Sequence, residues 1–104
     1  MARINRPALS IEAINALLTS HKELLQKYKV KRIGLFGSHV RQSQNKRSDI
    51  DFLVEFEKPS FDNYMDLLFS LERLFGKSID LVTHNGLSPH MRPYVENEVR
   101  WHEV

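Results

Sequence analysis

Three aspartates stand where an ordinary soluble fold gains little from a carboxylate. Asp49 and Asp51 flank Ile50 at the start of a β-rich run, and Asp80 lies inside another, between Ile79 and Leu81-Val82. Side chains alternate along a strand, so residues two apart share a face with Cβ atoms roughly 6–7 Å apart. Asp is depleted in strands, and the apolar neighbours of Asp80 imply burial on at least one side. If the two strands are adjacent, three negative charges converge on one patch. Two of them roughly 6.6 Å apart repel by about 2.5 kcal/mol at an effective dielectric near 20. Divalent cations are the plainest reason for a fold to keep them together. Mg²⁺ takes oxygen ligands, usually one or two carboxylates plus phosphate oxygens and water. A pair of such ions can clamp the attacking and leaving oxygens of a phosphoryl displacement. Taken singly, each motif is ordinary, since an Asp-x-Asp beside a strand is usually a turn and a solvated edge.

Gly37-Ser38 changes that weighting. It follows the apolar run Val30 to Phe36 directly and precedes a polar segment containing Arg41. A glycine there lets the backbone approach an anion, and the following amides and the Ser38 hydroxyl can donate to phosphate oxygens. Arg41 adds a charge-assisted contact. A phosphate-holding turn after one strand, a double carboxylate opening the next and a third carboxylate further on outline a metal–triphosphate site. Ser38 has no recognisable base beside it and reads as a phosphate binder rather than a nucleophile. The histidines at 21, 39, 84, 90 and 102 show no metal-ligand spacing. His21 falls on an apolar stripe as a core or interface residue, and His39 reads as a solvent-facing loop residue.

The elements that must position these groups follow from periodicity. After an N-cap at Ser10, residues Ile14, Leu17, Leu18, His21, Leu24, Leu25 and Tyr28 recur at three- and four-residue steps, one stripe of a helix. Ser20 and Glu23 have the spacing of a capping box, which would restart the helix near Thr19. Val30 to Phe36 and Ile50 to Phe56 read as strands, with a short helix and loop between His39 and Arg47. Phe61, Tyr64, Met65, Leu68, Leu71 and Phe75 trace a core-facing helix closed by Gly76. Ile79 to Thr83 is a third strand, and His84-Asn85-Gly86 a turn. A last helix starts at Ser88-Pro89 or, after a looser turn, at Pro93. Trp101 and Val104 fold back onto the sheet. The order α-β-(α)-β-α-β-α describes an α+β domain with α/β-type layers, a small mixed sheet with helices packed on it.

The 104 residues fit one domain, residues 1–104. Hydrophobic residues at 41% and charged residues at 27% exclude disordered and collagen-like classes. The longest apolar runs fall far short of a bilayer span, and nothing at the start suggests secretion. Without cysteine there are no disulfides, thiol nucleophiles or thiolate metal sites. The expected location is cytoplasmic. Fifteen basic against 13 acidic residues give a net charge of +2, without the concentrated excess of a nucleic-acid binder. The basic run from Lys27 to Arg32 reads as a solvated rim.

Gly37-Ser38-His39-Val40-Arg41, Ser48-Asp49-Ile50-Asp51-Phe52-Leu53-Val54 and Ile79-Asp80-Leu81-Val82 together resemble the signature of the minimal nucleotidyltransferases, the MNT proteins of the DNA polymerase beta superfamily. The likeness runs from about Ile33 to Trp101 and includes Leu87-Ser88-Pro89. It implies a nucleotidyltransferase fold and a pair of Mg²⁺ ions, with Asp49 and Asp51 as ligands and Asp80 as a further ligand or the base for the acceptor hydroxyl. Gly37 and Ser38, with Ser48, would bind the nucleotide, and Arg41 would support their loop. Gln42 stands where the family often has glycine, and Val40 where alanine is common. MNT antitoxins pair with HEPN ribonuclease toxins and transfer AMP to a toxin tyrosine. The resemblance therefore implies ATP or another NTP as donor and a HEPN-type toxin as partner. The residues themselves say only that a chain this small lacks an acceptor domain, so a separate macromolecule or oligomerisation, as in a homo-oligomer, supplies that site. Two other readings stay open, a non-catalytic antitoxin acting by contact and a transferase for a small hydroxylated molecule such as an aminoglycoside.

Overall fold

The computed structural model describes residues 9–41 and 49–102. Helix α1 (Ile11–Ser20) starts at Ser10, whose hydroxyl accepts from the Ala13 amide at 3.1 Å. The helical stripe breaks at His21 rather than at Thr19. The His21 backbone leaves helical geometry, its amide donates to the Leu17 and Leu18 carbonyls, and α2 (Lys22–Lys27) begins without a side-chain cap. Ser20 is thus the last residue of α1, and the capping box does not form.

Strand β1 (Val30–Phe36) leads into a 3₁₀ turn, Gly37–His39, and β2 (Ile50–Phe56) follows. Most of the short helix and loop expected between His39 and Arg47 falls on Gln42 to Ser48, outside the described residues. Helix α3 (Phe61–Phe75) is capped by the Ser60 hydroxyl and ended by Gly76 at φ 63°, whose amide donates to the Glu72 carbonyl. Glycine tolerates that left-handed geometry without a Cβ penalty. Strand β3 (Ile79–Thr83) and a second 3₁₀ turn (His84–Gly86) precede α4 (Arg92–Glu98). Ser88 accepts from the Met91 amide to close the turn before α4. The helix therefore starts one residue ahead of Pro93, in the first turn where proline's missing donor costs nothing.

A fourth strand, β4 (Arg100–His102), was not expected as an element, only as a segment folding back. The sheet order is β3-β2-β1-β4. β1 pairs antiparallel with both β2 and β4, whereas β2 and β3 run parallel. The result is the expected α+β architecture with a mixed sheet.

Alternation along the strands separates two faces. Ile33 and Leu35 of β1, Ile50, Phe52, Val54 and Phe56 of β2, and Ile79 and Leu81 of β3 pack with α1, α2 and α3. Tyr64 on α3 donates its hydroxyl to the Leu81 carbonyl at 2.6 Å, tying that helix to the sheet edge. The other face carries Phe36, Leu53 and Val82, covered by Leu87, Val95, Val99 and Trp101. A register shift between Val30 and Arg32 lets β1 send Val30 to the first face and Arg32 to the second. The α3 stripe is not wholly core: Leu67, Leu71 and Phe75 are buried, but Phe61 is 75% exposed. Phe61 occupies the first helical position and faces outward rather than into the core it was expected to join. No helix among the described residues is long and apolar enough to cross a membrane.

Candidate active site

The carboxylates meet at one end of the second face. In the parallel β2–β3 pair, Asp51 is directly opposite Asp80, and the Ile50 amide bonds the Ser78 carbonyl at 3.2 Å just below them. On its other side Asp51 is opposite Phe36, the last residue of β1. The chain turns at Gly37 with φ 79°. A Cβ built on Gly37 would overlap the Asp51 carboxyl, lying 2.9 Å from Cγ and closer still to Oδ2. Glycine is required here twice, for the backbone angle and for the space. The phosphate-type turn and the strand carboxylate are therefore in direct contact.

Asp51 is half-buried, whereas Asp49 and Asp80 are exposed. Burial, the charge of Asp80, a hydrogen bond with Asp80 and the charge of Asp49 together push the Asp51 carboxyl up to about 6, with Arg41 pulling the other way. Among the described residues, no three carboxylate or imidazole groups form a ready ligand cluster. Asp51 and Asp80 converge, and Asp49 contributes charge from the entry of β2. An all-oxygen donor set of neighbouring carboxylates suits a hard divalent cation, which would relieve their repulsion and take its other ligands from phosphate and water.

The turn itself is held by the Gly37 carbonyl, which accepts from the amides of Val40 and Arg41 at 3.1 and 3.2 Å. Ser38 is partly exposed on it. His39 is not the solvent-facing residue expected from its polar surroundings. It is fully buried, with neither ring nitrogen hydrogen-bonded. A 3₁₀ turn advances only three residues per revolution, so the chain curls inward directly after β1 and carries the ring with it. Burial, with the nearby charge of Lys77, lowers its pKa. His21, by contrast, is partly buried at the α1–α2 break, as expected of a stripe residue.

Arg41 reaches across to α4, donating from Nη1 to Glu98 Oε1 at 2.6 Å. Sequence reading did not find Glu98, because 57 residues separate the pair and no local spacing connects them. Ser48, the remaining expected nucleotide-binding residue, lies outside the described residues. At the far end of the same face, Arg32 stacks on Trp101 with Cζ 3.9 Å from the ring centroid and bonds Glu55 at 2.6 Å. This pair borders a cleft of ≈ 300 Å³ that also includes His84 and Glu96 and lies away from the carboxylates.

Comparison with known proteins bears on this geometry. The family model described as "Nucleotidyltransferase domain" matches residues 19–102. The chain belongs to the nucleotidyltransferase family. This nucleotidyltransferase is 41% identical over 93 residues to the protein adenylyltransferase MntA of Thermococcus cleftensis, covering 88% of this chain and 94% of the relative. A solved structure provisionally described as a minimal nucleotidyltransferase superposes with a TM-score of 0.77 at 30% identity, covering 89% of this chain and 96% of that one. A chain from the complex of a tri-AMPylated Shewanella oneidensis HEPN toxin with an MNT antitoxin matches with a TM-score of 0.61 at 21% identity, over 83% of this chain and 68% of that one. At that identity the likeness shows the shared fold.

Proposed function

We propose that this nucleotidyltransferase transfers AMP from ATP to a hydroxyl of a partner protein, a tyrosine of a HEPN-type toxin, as an antitoxin acting in the cytoplasm. The observation that carries the reading is the contact of Asp51, paired with Asp80 across β2 and β3, with the Gly37 turn, which supports a site where carboxylates and phosphate-binding amides meet. The adenylyltransferase name of the Thermococcus relative and the AMPylated toxin of the Shewanella complex support the donor and the acceptor.

In this scheme Gly37 and Ser38 hold the β- and γ-phosphates and leave the α-phosphorus over the carboxylates. Asp51, Asp80 and Asp49 would hold two Mg²⁺ ions, which when bound neutralise the triphosphate. The acceptor oxygen forms the new bond to the α-phosphorus while the bond to the β-phosphate bridging oxygen breaks, and pyrophosphate leaves with that electron pair. Asp80, the exposed member of the pair, receives the hydroxyl proton or orients the hydroxyl. Most of the rate comes from positioning and from charge already in place.

The test is intact mass spectrometry of this protein, ATP, Mg²⁺ and the protein encoded beside it. The wild type should add about one AMP mass, ~329 Da, to the partner, and Asp51→Asn should abolish the gain while the circular dichroism spectrum is kept. Unchanged transfer by Asp51→Asn would sink the site. Neutralisation of the partner by Asp51→Asn and Asp80→Asn with no mass gain would instead identify an antitoxin acting by contact.

A further inference from the structure

Helix α4 lies over the face that carries Asp51 and Asp80, and its residues divide around Val95, which packs inward on Leu53 and Leu87. At about 100° per residue, Glu96 falls on one flank and Glu98 on the other. Glu96 meets His84 at 3.1 Å, beside the cleft at the far end of the sheet. Glu98 accepts from Arg41, at the end where β1 turns. The Glu98 side chain is 20% exposed and that of Arg41 60%, so the carboxylate is the anchored partner and the guanidinium the exposed one. The Arg41 amide is bonded to the Gly37 carbonyl, so Glu98 ties α4 to the turn that contacts Asp51.

We propose that Glu98 is a positioning residue of the nucleotide site, holding the Arg41 guanidinium at the mouth of the Gly37–His39 turn so that an incoming triphosphate meets a cation already in place. The inference rests on the nucleotidyltransferase reading given above. The Glu98 contact uses one Nη of Arg41, and a guanidinium has five N–H donors, which leaves capacity for an anion. A long side chain fixed beforehand loses less freedom when its ligand arrives. The charge of Arg41 already acts on Asp51. Released from Glu98, the guanidinium turns to that carboxylate and competes there with a divalent cation.

The test uses the full chain, with calorimetric binding of the non-hydrolysable ATP analogue AMP-PNP across a range of Mg²⁺ concentrations, alongside transfer kinetics. Glu98→Ala should weaken the analogue about tenfold, raise KM for ATP similarly and change kcat less than about threefold. It should also raise the Mg²⁺ concentration needed for half-maximal binding. Glu98→Gln, whose amide oxygen still accepts from Arg41, should stay within about threefold of wild type. Arg41→Ala combined with Glu98→Ala should be no weaker than Arg41→Ala alone. Glu96→Ala, on the opposite flank, should leave analogue binding unchanged. A Glu98→Ala variant that melts earlier yet keeps its AMP-PNP affinity and Mg²⁺ requirement would overturn the proposal, as would losses that add in the double variant. Glu98-dependent analogue binding by a protein that transfers nothing would remove the transferase reading and keep this inference; no analogue binding by the wild type would overturn both.

Discussion

Asp51 is held among like charges in a half-buried position. Its folded pKa of about 6 lies above the ordinary value of 3.8, through burial first and then the charges and hydrogen bond of its neighbours. Between those two values the folded state binds more protons than the unfolded state. Stability therefore falls as pH rises from about 4 to about 6 and then levels off. Allowing for solvent screening of a half-buried group, the loss is about 1–2 kcal/mol. Urea titrations across pH 4–8 should show that slope in the wild type and not in Asp51→Asn, which should be the more stable protein at pH 7 without metal. Mg²⁺ should raise the melting temperature of the wild type at pH 7.5, and that rise should vanish in Asp51→Asn. The convergence of Asp51 and Asp80 could be read from their places in two apolar runs, given that those strands are neighbours. The burial of His39 could not, because it depends on a turn type that a run of polar residues does not specify. Glu98 was equally hidden, being a partner chosen by topology.

At the scale of elements, β4 is held where a glycine makes room for it. Gly34 is opposite Trp101, and a Cβ at Gly34 would come within 2.6 Å of Val99 Cγ2 and 3.0 Å of both the Arg100 carbonyl oxygen and the Trp101 ring. A glycine inside a strand often marks a close approach by another backbone. That signal stood in the sequence between Ile33 and Leu35, and it is the one that could have revealed the fourth strand. Gly34→Val should destabilise the protein by about 2–4 kcal/mol through overpacking. Trp101 is the sole tryptophan, so its fluorescence should shift to longer wavelength as β4 leaves β1. The three long strands and α3 were legible because each carries a run of apolar residues with clear stops, although the period of β1 is broken by its register shift. The α1–α2 break was displaced by two residues because His21 satisfies its own backbone at the junction, its amide and Nδ1 both turning to the Leu17 carbonyl.

For the molecule as a whole, the site and the core use the same strands. Asp51 and Asp80 belong to β2 and β3, and Gly37 directly follows β1, so a ligand that bridges them clasps three of the four strands at one end of the sheet. At a hundredfold excess over its dissociation constant, AMP-PNP with Mg²⁺ should stabilise the fold by about 2.7 kcal/mol. Hydrogen exchange should then slow across β1, β2 and β3 together. Protection limited to residues 37–41 would mean that the turn binds independently of the sheet. β2 makes this coupling strict. Its even-numbered residues Ile50, Phe52, Val54 and Phe56 fill the main core, and Asp51 lies between them. A slip of one position would drive the carboxylate into the main core and take Phe52 out of it. Such a molecule would not survive as a compact chain, so an inventory of competent centres in any preparation should equal the inventory of folded ones, with no population of well-formed but misassembled protein to dilute it.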